Sequence, residues 1–215
     1  MLVEFAREFW HRIGASSEQI KALTAIAAAC LAFVGLRTWR LQLKGTAEYT
    51  LAKEVLKAAY RVREAFKHVR NPAIFSYEYP ESMREPSGHV KDEVRAEGTA
   101  HVYEERFKVL NEAFRTLEDR ALDAQVEWGS DYATIIVPLR KCRGELLITL
   151  QRHVEKMKPG YHERHSTVDE KQQARSVMYY LGEDQHELDS FTTDINAAIR
   201  QFEQRLRPII GARKG

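Results

Sequence analysis

The sequence predicts an all-α protein, in which an N-terminal amphipathic and transmembrane helix precedes an antiparallel bundle of about four long helices. Two observations lead to this fold class. Residues 22–36 form an uncharged run, ALTAIAAACLAFVGL, that has no counterpart elsewhere in the chain. The rest of the chain carries apolar residues at alternating spacings of three and four, in segments separated by Pro and Gly, as helices with one buried face do.

Composition limits the choice of function. The 215 residues are enough for one or two small domains. Lys and Arg number 33 and Asp and Glu number 31, a balance that argues against a dedicated nucleic-acid binder, since such proteins have a basic excess. Mean hydropathy is −0.48 despite the apolar run, so the remainder of the chain is polar. Cys30 and Cys142 make no disulfide framework and suit a reducing compartment.

The uncharged run predicts a membrane helix over about residues 20–39. Its 15 residues span about 22 Å as a helix, less than the roughly 30 Å hydrocarbon core of a bilayer. The flanking residues can supply the missing length. Lys21, before the run, can extend its side chain to the membrane surface. After the run, a basic and aromatic cluster suits the headgroup region (Arg37, Trp39 and Arg40). A buried Ala-rich core helix and a signal-like or interfacial segment are the alternatives.

Residues 1–45 are predicted to form one membrane-associated segment. It consists of the uncharged run and its flanks together with the residues that precede the run. Residues 2–13 predict an amphipathic helix in the membrane interface, with one apolar face (Leu2, Phe5, Ala6, Phe9, Trp10 and Ile13). Packing of that face on the body or on another subunit is the alternative. Residues 14–17, GASS, break the pattern, and Ser17 suits the N-cap of the next helix.

Charge predicts the orientation of the chain in a bacterial inner membrane. Residues 37–57 carry five basic residues, against three before the run. Because basic residues favour the cytoplasmic side, the body is expected in the cytoplasm. The two lone thiols agree with that compartment.

The body, residues 46–215, is predicted to hold four long helices. The first ends before Pro72, the second runs over about 99–128, the third over about 131–158 and the last over about 189–207, with Pro208 as its terminator. In the third helix, Pro138 marks either a kink or the true start. Residues 174–181 fit two alternatives, the end of a helix that begins near residue 168 or a short extended segment. Expected core residues are Phe66, Phe107, Phe114, Leu146 and Phe202.

Residues 72–98 predict a long connection that begins packed and becomes flexible. This stretch contains three Pro and two Gly residues and an aromatic cluster of Phe75, Tyr77 and Tyr79. Connections this long are functional or disordered in most proteins. The flexible part is expected at about 77–98.

Arg61, Arg63, Glu64 and His68 form the candidate catalytic set. The spacings from Arg63 and Arg61 to His68 fit R-x4-H and R-x6-H, which resemble the signature of HEPN-type ribonucleases. That resemblance implies His68 as acid/base and the Arg as a phosphate stabiliser. Two other Arg–His pairs fit R-x4-H or R-x5-H, and Arg63 and His68 point about 140° apart on an ideal helix. The alternative is a surface ion network beside the apolar seam.

No cofactor or metal is expected. His162 and His165 could make a metal pair, but no third ligand lies beside them, and a solvated loop is the preferred interpretation. Patterns for paired carboxylates, phosphate-binding Gly-rich loops, nucleophile elbows and zinc ribbons are missing from the sequence.

Residues 39–72, WRLQLKGTAEYTLAKEVLKAAYRVREAFKHVRNP, resemble a bacterial family of uncharacterised membrane-anchored proteins. VEWG at 126–129 and the closing segment 191–208 are similar to that family too, so the resemblance covers most of the chain. A remoter likeness is to the membrane-pore accessory protein of Cas13b-type CRISPR systems, which joins a membrane helix to a HEPN-like body. That family is expected to carry R-x4-H late in its chain, whereas His68 lies in the first helix after the membrane segment.

The sequence therefore predicts a membrane-tethered interaction or scaffold protein that assembles as a homo-oligomer through its N-terminal segment. Small residues at 25, 28, 29 and 32 would let membrane helices approach closely. Expected partners are membrane lipid and a protein partner. The alternative is a HEPN-like, metal-independent ribonuclease or a pore-forming effector in antiviral defence, and only that alternative brings RNA as a partner.

Overall fold

The computed structural model describes residues 2–161, 167–182 and 189–211. These residues form helices, short 3₁₀ turns and one isolated antiparallel bridge between Arg84 and Val90, and no β-strand occurs within the described ranges. The chain divides into two compact units, Met1–Ala47 and Glu48–Gly215. The predicted all-α fold class is confirmed.

Helix α1 (Leu2–Val69) contributes residues to both units. The predicted interruption at residues 14–17 is wrong, since the helix continues through them and through Gly45. A glycine inside a helix costs only about 1 kcal/mol, which favourable neighbours on both sides offset. The helix ends where Pro72 disfavours helical geometry in the residue before it. The apolar face predicted for residues 2–13 lies outside the described side chains.

In the first unit, every residue from 21 to 47 is exposed. The exposed side chains include large apolar ones throughout the uncharged run and beyond it (Leu23, Ile26, Leu31, Phe33, Val34, Leu36 and Trp39). Helix Lys21–Val69 is long and apolar enough to cross a membrane, and none of its apolar window is buried. This helix therefore has the length and composition that a membrane span requires.

In the second unit, three 3₁₀ turns (Ser76–Glu78, Glu81–Met83 and Asp92–Val94) connect α1 to α2 (Arg95–Trp128). Helix α2 begins four residues before the predicted position. Gly98 permits this, because a Cβ there would lie 2.7 Å from the Tyr79 ring, so the first turn of α2 packs directly on the connection. The predicted flexibility of residues 77–98 stays a prediction.

The remaining helices are α3 (Asp131–Thr134), α4 (Val137–Lys156), α5 (Val168–Met178) and α6 (Ser190–Gly211). Pro138 lies in the first turn of α4, so it marks a start and not a kink. Thr167 and Glu170 close a capping box at the start of α5. Pro208 lies inside α6, and its prediction as a terminator is wrong. Ile209 and Ile210 pack against the core and hold the last turn in place.

The core of the second unit is one apolar cluster to which α1, α2, α4, α5 and α6 all contribute. The five predicted core residues are confirmed, each being at most 8 % exposed. Phe66 lies at the centre, meeting the rings of Phe114 and Phe191 edge to face at centroid distances of 5.9 and 6.2 Å. Edge-to-face pairs of this kind add to the free energy gained by burial.

Candidate functional site

The candidate catalytic set lies near the C-terminal end of α1. Arg61, Glu64 and His68 are exposed, and Arg63 is half-buried. The structure brings Arg63 and Glu64 together, with Arg63 Nε donating to Glu64 Oε1 at 3.0 Å. Lys67 Nζ lies 3.4 Å from the same oxygen. Arg61 and His68 are not part of this cluster of ion pairs.

Arg63 also belongs to a contact between α1 and α6. Its guanidinium lies 5.1 Å from the centre of the Tyr60 ring. The Tyr60 hydroxyl donates to Glu203 Oε1 at 2.5 Å, and this hydrogen bond lowers the pKa of the Glu203 carboxyl, while burial raises the pKa of Tyr60. Arg207 Nη2 donates to the same carboxylate oxygen at 3.1 Å. Arg63 is thus held in a surface network that joins two helices, which is the alternative interpretation of the sequence pattern.

His68 makes no hydrogen bond or ion pair to any described side chain. The pKa of Glu78 is lowered mainly by its hydrogen bond with Arg106 and to a smaller extent by the charge of His68. A general acid/base works best when its neighbours bring its pKa near the operating pH and a phosphate stabiliser lies beside it. Arg63 is engaged with Tyr60 and Glu64 instead. The catalytic assignment stays a prediction.

Sequence reasoning missed a buried polar cluster around Arg70, the residue after the end of α1. Arg70 is 1 % exposed and donates five hydrogen bonds. Nη2 lies 2.7 Å from Asp189 Oδ1, and Nη1 donates to Thr192 Oγ1 at 2.7 Å. The other three acceptors are the carbonyls of residues 176, 177 and 179 at the end of α5.

The Arg70 cluster is closed on itself. Asp189 accepts from the backbone N–H of Thr192 at 2.9 Å and from its hydroxyl at 2.6 Å, so the carboxylate also caps the start of α6. Burial lowers the pKa of Arg70, and the Asp189 carboxylate opposes that effect. With its donors directed at protein acceptors, Arg70 joins the ends of three helices and presents no group to a ligand.

A second buried guanidinium, Arg106 of α2, holds the connection that follows α1. Its Nε and Nη2 pair with the two oxygens of Glu78 at 2.7 and 2.8 Å. Nη1 and Nη2 also donate to the carbonyls of Asn71 and Ala73 at 2.7 and 2.6 Å. A fork-to-fork pair of this kind fixes orientation as well as distance. Arg106 therefore fixes the path of the chain from α1 into the first 3₁₀ turn.

The positions of both arginines in the sequence indicate that they could be buried. Arg70 follows Phe66 by four residues, and Arg106 follows Tyr103 by three, so each occupies the face that the apolar pattern directs inward. A charged residue on an inward face is rarely buried unless it is paired. That pattern indicates a buried pair, but it names no partner.

A cavity of about 410 Å³ lies between the connection, α2 and the end of α4. Its ionisable lining includes His89, Tyr103 and His153, and the rings of Tyr103 and His153 meet edge to face at 6.3 Å. Burial raises the pKa of Tyr103 to about 12 and lowers that of His153. Both shifts favour uncharged rings, so this pair is suited to packing and hydrogen bonding.

Within the described ranges, no group of three or more His, Cys, Asp or Glu side chains is placed so that it could hold a metal ion. The His162–His165 pair lies outside the described residues. Comparison with known proteins found no matching family model, curated protein or solved structure.

Proposed function

We propose that the protein is a membrane-tethered helical interaction protein of a bacterial inner membrane, with its body in the cytoplasm. The observation that carries the proposal is the exposure of every residue from 21 to 47 in a helix long and apolar enough to span a bilayer. Soluble monomers rarely expose contiguous apolar surface of this extent. Burying one large apolar side chain is worth about 1.5–3 kcal/mol, so the many exposed here strongly favour transfer into lipid.

The orientation is supported by the charges that flank the run. Arg37, Arg40 and Lys44 follow the run within eight residues, whereas Lys21 is the single basic residue within eight residues before it. Basic residues next to a membrane helix are retained on the cytoplasmic side. The body follows this basic flank in the chain, so we expect it on the cytoplasmic side.

An interaction role for the body is supported by the contacts of three of its arginines, which bind other parts of the same chain. Buried Arg70 joins the ends of three helices, and buried Arg106 fixes the connection after α1. The candidate catalytic Arg63 lies in a network between α1 and α6. The body thus resembles a rigid scaffold whose outer helix faces are free to bind another macromolecule. Membrane lipid and a protein are the partners that this proposal requires.

Assembly through residues 1–45 is part of the proposal. Small side chains at 25, 28, 29 and 32 lie in the exposed helix, where close approach of a second helix is favoured by van der Waals packing. We expect wild-type protein in mild detergent to be a homo-oligomer, and we expect Ala28→Leu with Ala32→Leu to shift it towards monomer while leaving membrane insertion intact. Multi-angle light scattering measures the mass. A monomeric wild type, or an oligomer that the double substitution leaves unchanged, contradicts this assembly.

The alternative is a ribonuclease or a pore-forming effector, and both are tested on full-length protein reconstituted into lipid vesicles. We expect no RNA cleavage above the blank and no difference between wild type and His68→Ala. We also expect no release of a trapped dye from the same vesicles. Cleavage that His68→Ala abolishes would replace the proposal by a HEPN-like ribonuclease, and dye release by wild type would replace it by a pore.

A further inference from the structure

The cavity of about 410 Å³ between the connection, α2 and the end of α4 is aromatic and close to neutral. Five aromatic side chains line it (Tyr79, His89, Tyr103, His153 and Tyr179). No carboxylate is among the described residues of its lining, and Arg95, the one Lys or Arg among them, already pairs with Asp92. The cavity is therefore unsuited to a cationic ligand and offers no unpaired fixed charge to an anion.

Two hydroxyls on one face of α2 open into this cavity without a protein partner. Thr99 and Tyr103 lie one helical turn apart and are 4 % and 6 % exposed. Neither hydroxyl bonds to a residue within the described ranges, and neither is sealed from solvent, because Arg84 Nε is the one sealed and unpartnered side-chain atom in those ranges. Buried polar groups of native proteins are paired in the great majority of cases, so a partner for these hydroxyls must enter the cavity.

An uncharged imidazole lies beside these hydroxyls. The His153 ring meets the Tyr103 ring edge to face at 6.3 Å, and its nitrogens bond to no residue in the described part of the chain. Burial, and to a smaller extent the charge of Lys156, lowers the pKa of His153, so the ring is neutral at pH 7. Burial raises the pKa of Tyr103, and the phenols of Tyr179 and Tyr79 lie close enough to add to that shift. The polar groups of the cavity are thus close together and uncharged.

These groups define the chemistry of a ligand. A neutral imidazole offers one donor and one acceptor, and a hydroxyl can act as either, so they match a molecule that carries donors beside acceptors and no charge. Aromatic side chains favour a flat aromatic molecule, because rings stack on their faces. A cavity of this volume lies in the range of about 300–1,000 Å³ that holds small molecules. Nucleobases combine a flat ring, zero charge at pH 7 and neighbouring donors and acceptors.

We propose that this cavity binds the base of a nucleoside, with Thr99, Tyr103 and His153 hydrogen-bonding to the edge of the base and the surrounding rings contacting its faces. One wall is fixed by close packing. A Cβ on Gly98 would lie 2.7 Å from Tyr79 Cδ1, so glycine at this position lets the Tyr79 ring lie directly against α2. The inference goes beyond the proposed function and does not depend on it.

The test is equilibrium dialysis of full-length protein in dodecyl maltoside against tritium-labelled adenosine, guanosine, cytidine and uridine, with empty micelles as the blank. We expect at least one of the four to bind saturably at one site per chain, with a Kd below about 100 µM. Because the base and the groups that contact it are uncharged, raising the salt concentration from 0.1 to 0.5 M should change that Kd by less than about twofold. No saturable binding of any of the four nucleosides at 1 mM overturns the proposal.

Two substitutions locate the binding site. Tyr103→Phe and Thr99→Val each remove one hydroxyl and keep the shape of the side chain. Each should raise the Kd of the bound nucleoside about three- to tenfold, the effect of losing one hydrogen bond, without lowering the melting temperature. Tyr132→Phe, the same change outside the cavity, should leave the Kd unchanged. Binding that neither substitution in α2 weakens overturns the proposal.

Other occupants are separated by competition against the bound nucleoside. Displacement by its free base, with no displacement by 5 mM ribose or 5 mM inorganic phosphate, supports the proposal. If ribose displaces the nucleoside as well as the free base does, the cavity is a sugar site and the proposal is wrong. If inorganic phosphate displaces it, the cavity is an anion site and the proposal is also wrong. Failure here leaves the membrane tether untouched, because insertion of the uncharged run is measured separately.

Discussion

Asp189→Ala should lower the free energy of unfolding by about 3–5 kcal/mol, because it leaves the Arg70 guanidinium buried without its counter-charge. Both side chains are 1 % exposed, and their atoms are 2.7 Å apart. The substitution also removes the acceptor for the Thr192 N–H and hydroxyl at the start of α6. Urea denaturation of the protein in mild detergent, followed by near-ultraviolet circular dichroism, measures the change.

A matched control is the exposed ion pair of Glu64 with Arg63 and Lys67 on α1. Glu64→Ala should change stability by no more than about 1 kcal/mol, because solvent screens exposed pairs. The double substitution Arg70→Met and Asp189→Leu should recover only part of the loss, since it removes the unpaired charge but leaves the carbonyls of residues 176, 177 and 179 without the Arg70 donor. An Asp189→Ala protein within 1 kcal/mol of wild type would show that the cluster does not hold the helices together.

Phe114→Ala should cost about 3–5 kcal/mol through the cavity that it leaves. The ring is fully buried, meets Phe66 edge to face, and has the Arg143 guanidinium 4.6 Å from its centre on another side. Because neighbours from two other helices surround the site, little collapse into the space is expected. The same denaturation experiment measures this loss.

Leu122→Ala provides the comparison for Phe114→Ala on the same helix. Leu122 is 61 % exposed, so its truncation should change stability by less than about 0.5 kcal/mol. Equal melting temperatures for Phe114→Ala and wild type would contradict the register of α2.

The helices of the body could be predicted because the spacing of apolar residues within each segment indicates which face is buried. Val62, Phe66 and Val69 repeat at four and three, as do Leu110, Phe114 and Leu117, and burial of an apolar side chain needs only that repeat. The helix ends were harder to predict. A Pro stops a helix only where the lost hydrogen bond has no compensation, and Pro208 lies in a last turn held by apolar contacts beyond it.

The buried clusters could not be predicted in the same way. Asp189, the charged partner of Arg70, lies 119 residues further along the chain, and no local sequence pattern relates the two residues. The sequence therefore predicts candidates among charged residues such as Arg61, Arg63, Glu64 and His68, because it shows residue types but not their surroundings. The cavity between the connection, α2 and the end of α4 also depends on separate segments, which only the fold brings together.

The central claim, that residues 22–36 lie inside a bilayer, is tested most directly with Cys30. This thiol is exposed in the isolated chain, whereas Cys142 is buried and its pKa is raised to about 11 by burial, so Cys142 reacts slowly in folded protein. Inverted inner-membrane vesicles are treated with a charged, membrane-impermeant maleimide, and labelled peptides are counted by mass spectrometry. The thiol introduced by Lys53→Cys, at an exposed position of the body, reports reagent access on the cytoplasmic side.

If residues 22–36 span the membrane, Cys30 stays unlabelled in intact vesicles and reacts only after denaturation in detergent, while the Lys53→Cys thiol is labelled throughout. Labelling of Cys30 in intact vesicles as fast as the Lys53→Cys thiol would mean that water reaches the middle of the run, and would contradict the membrane tether.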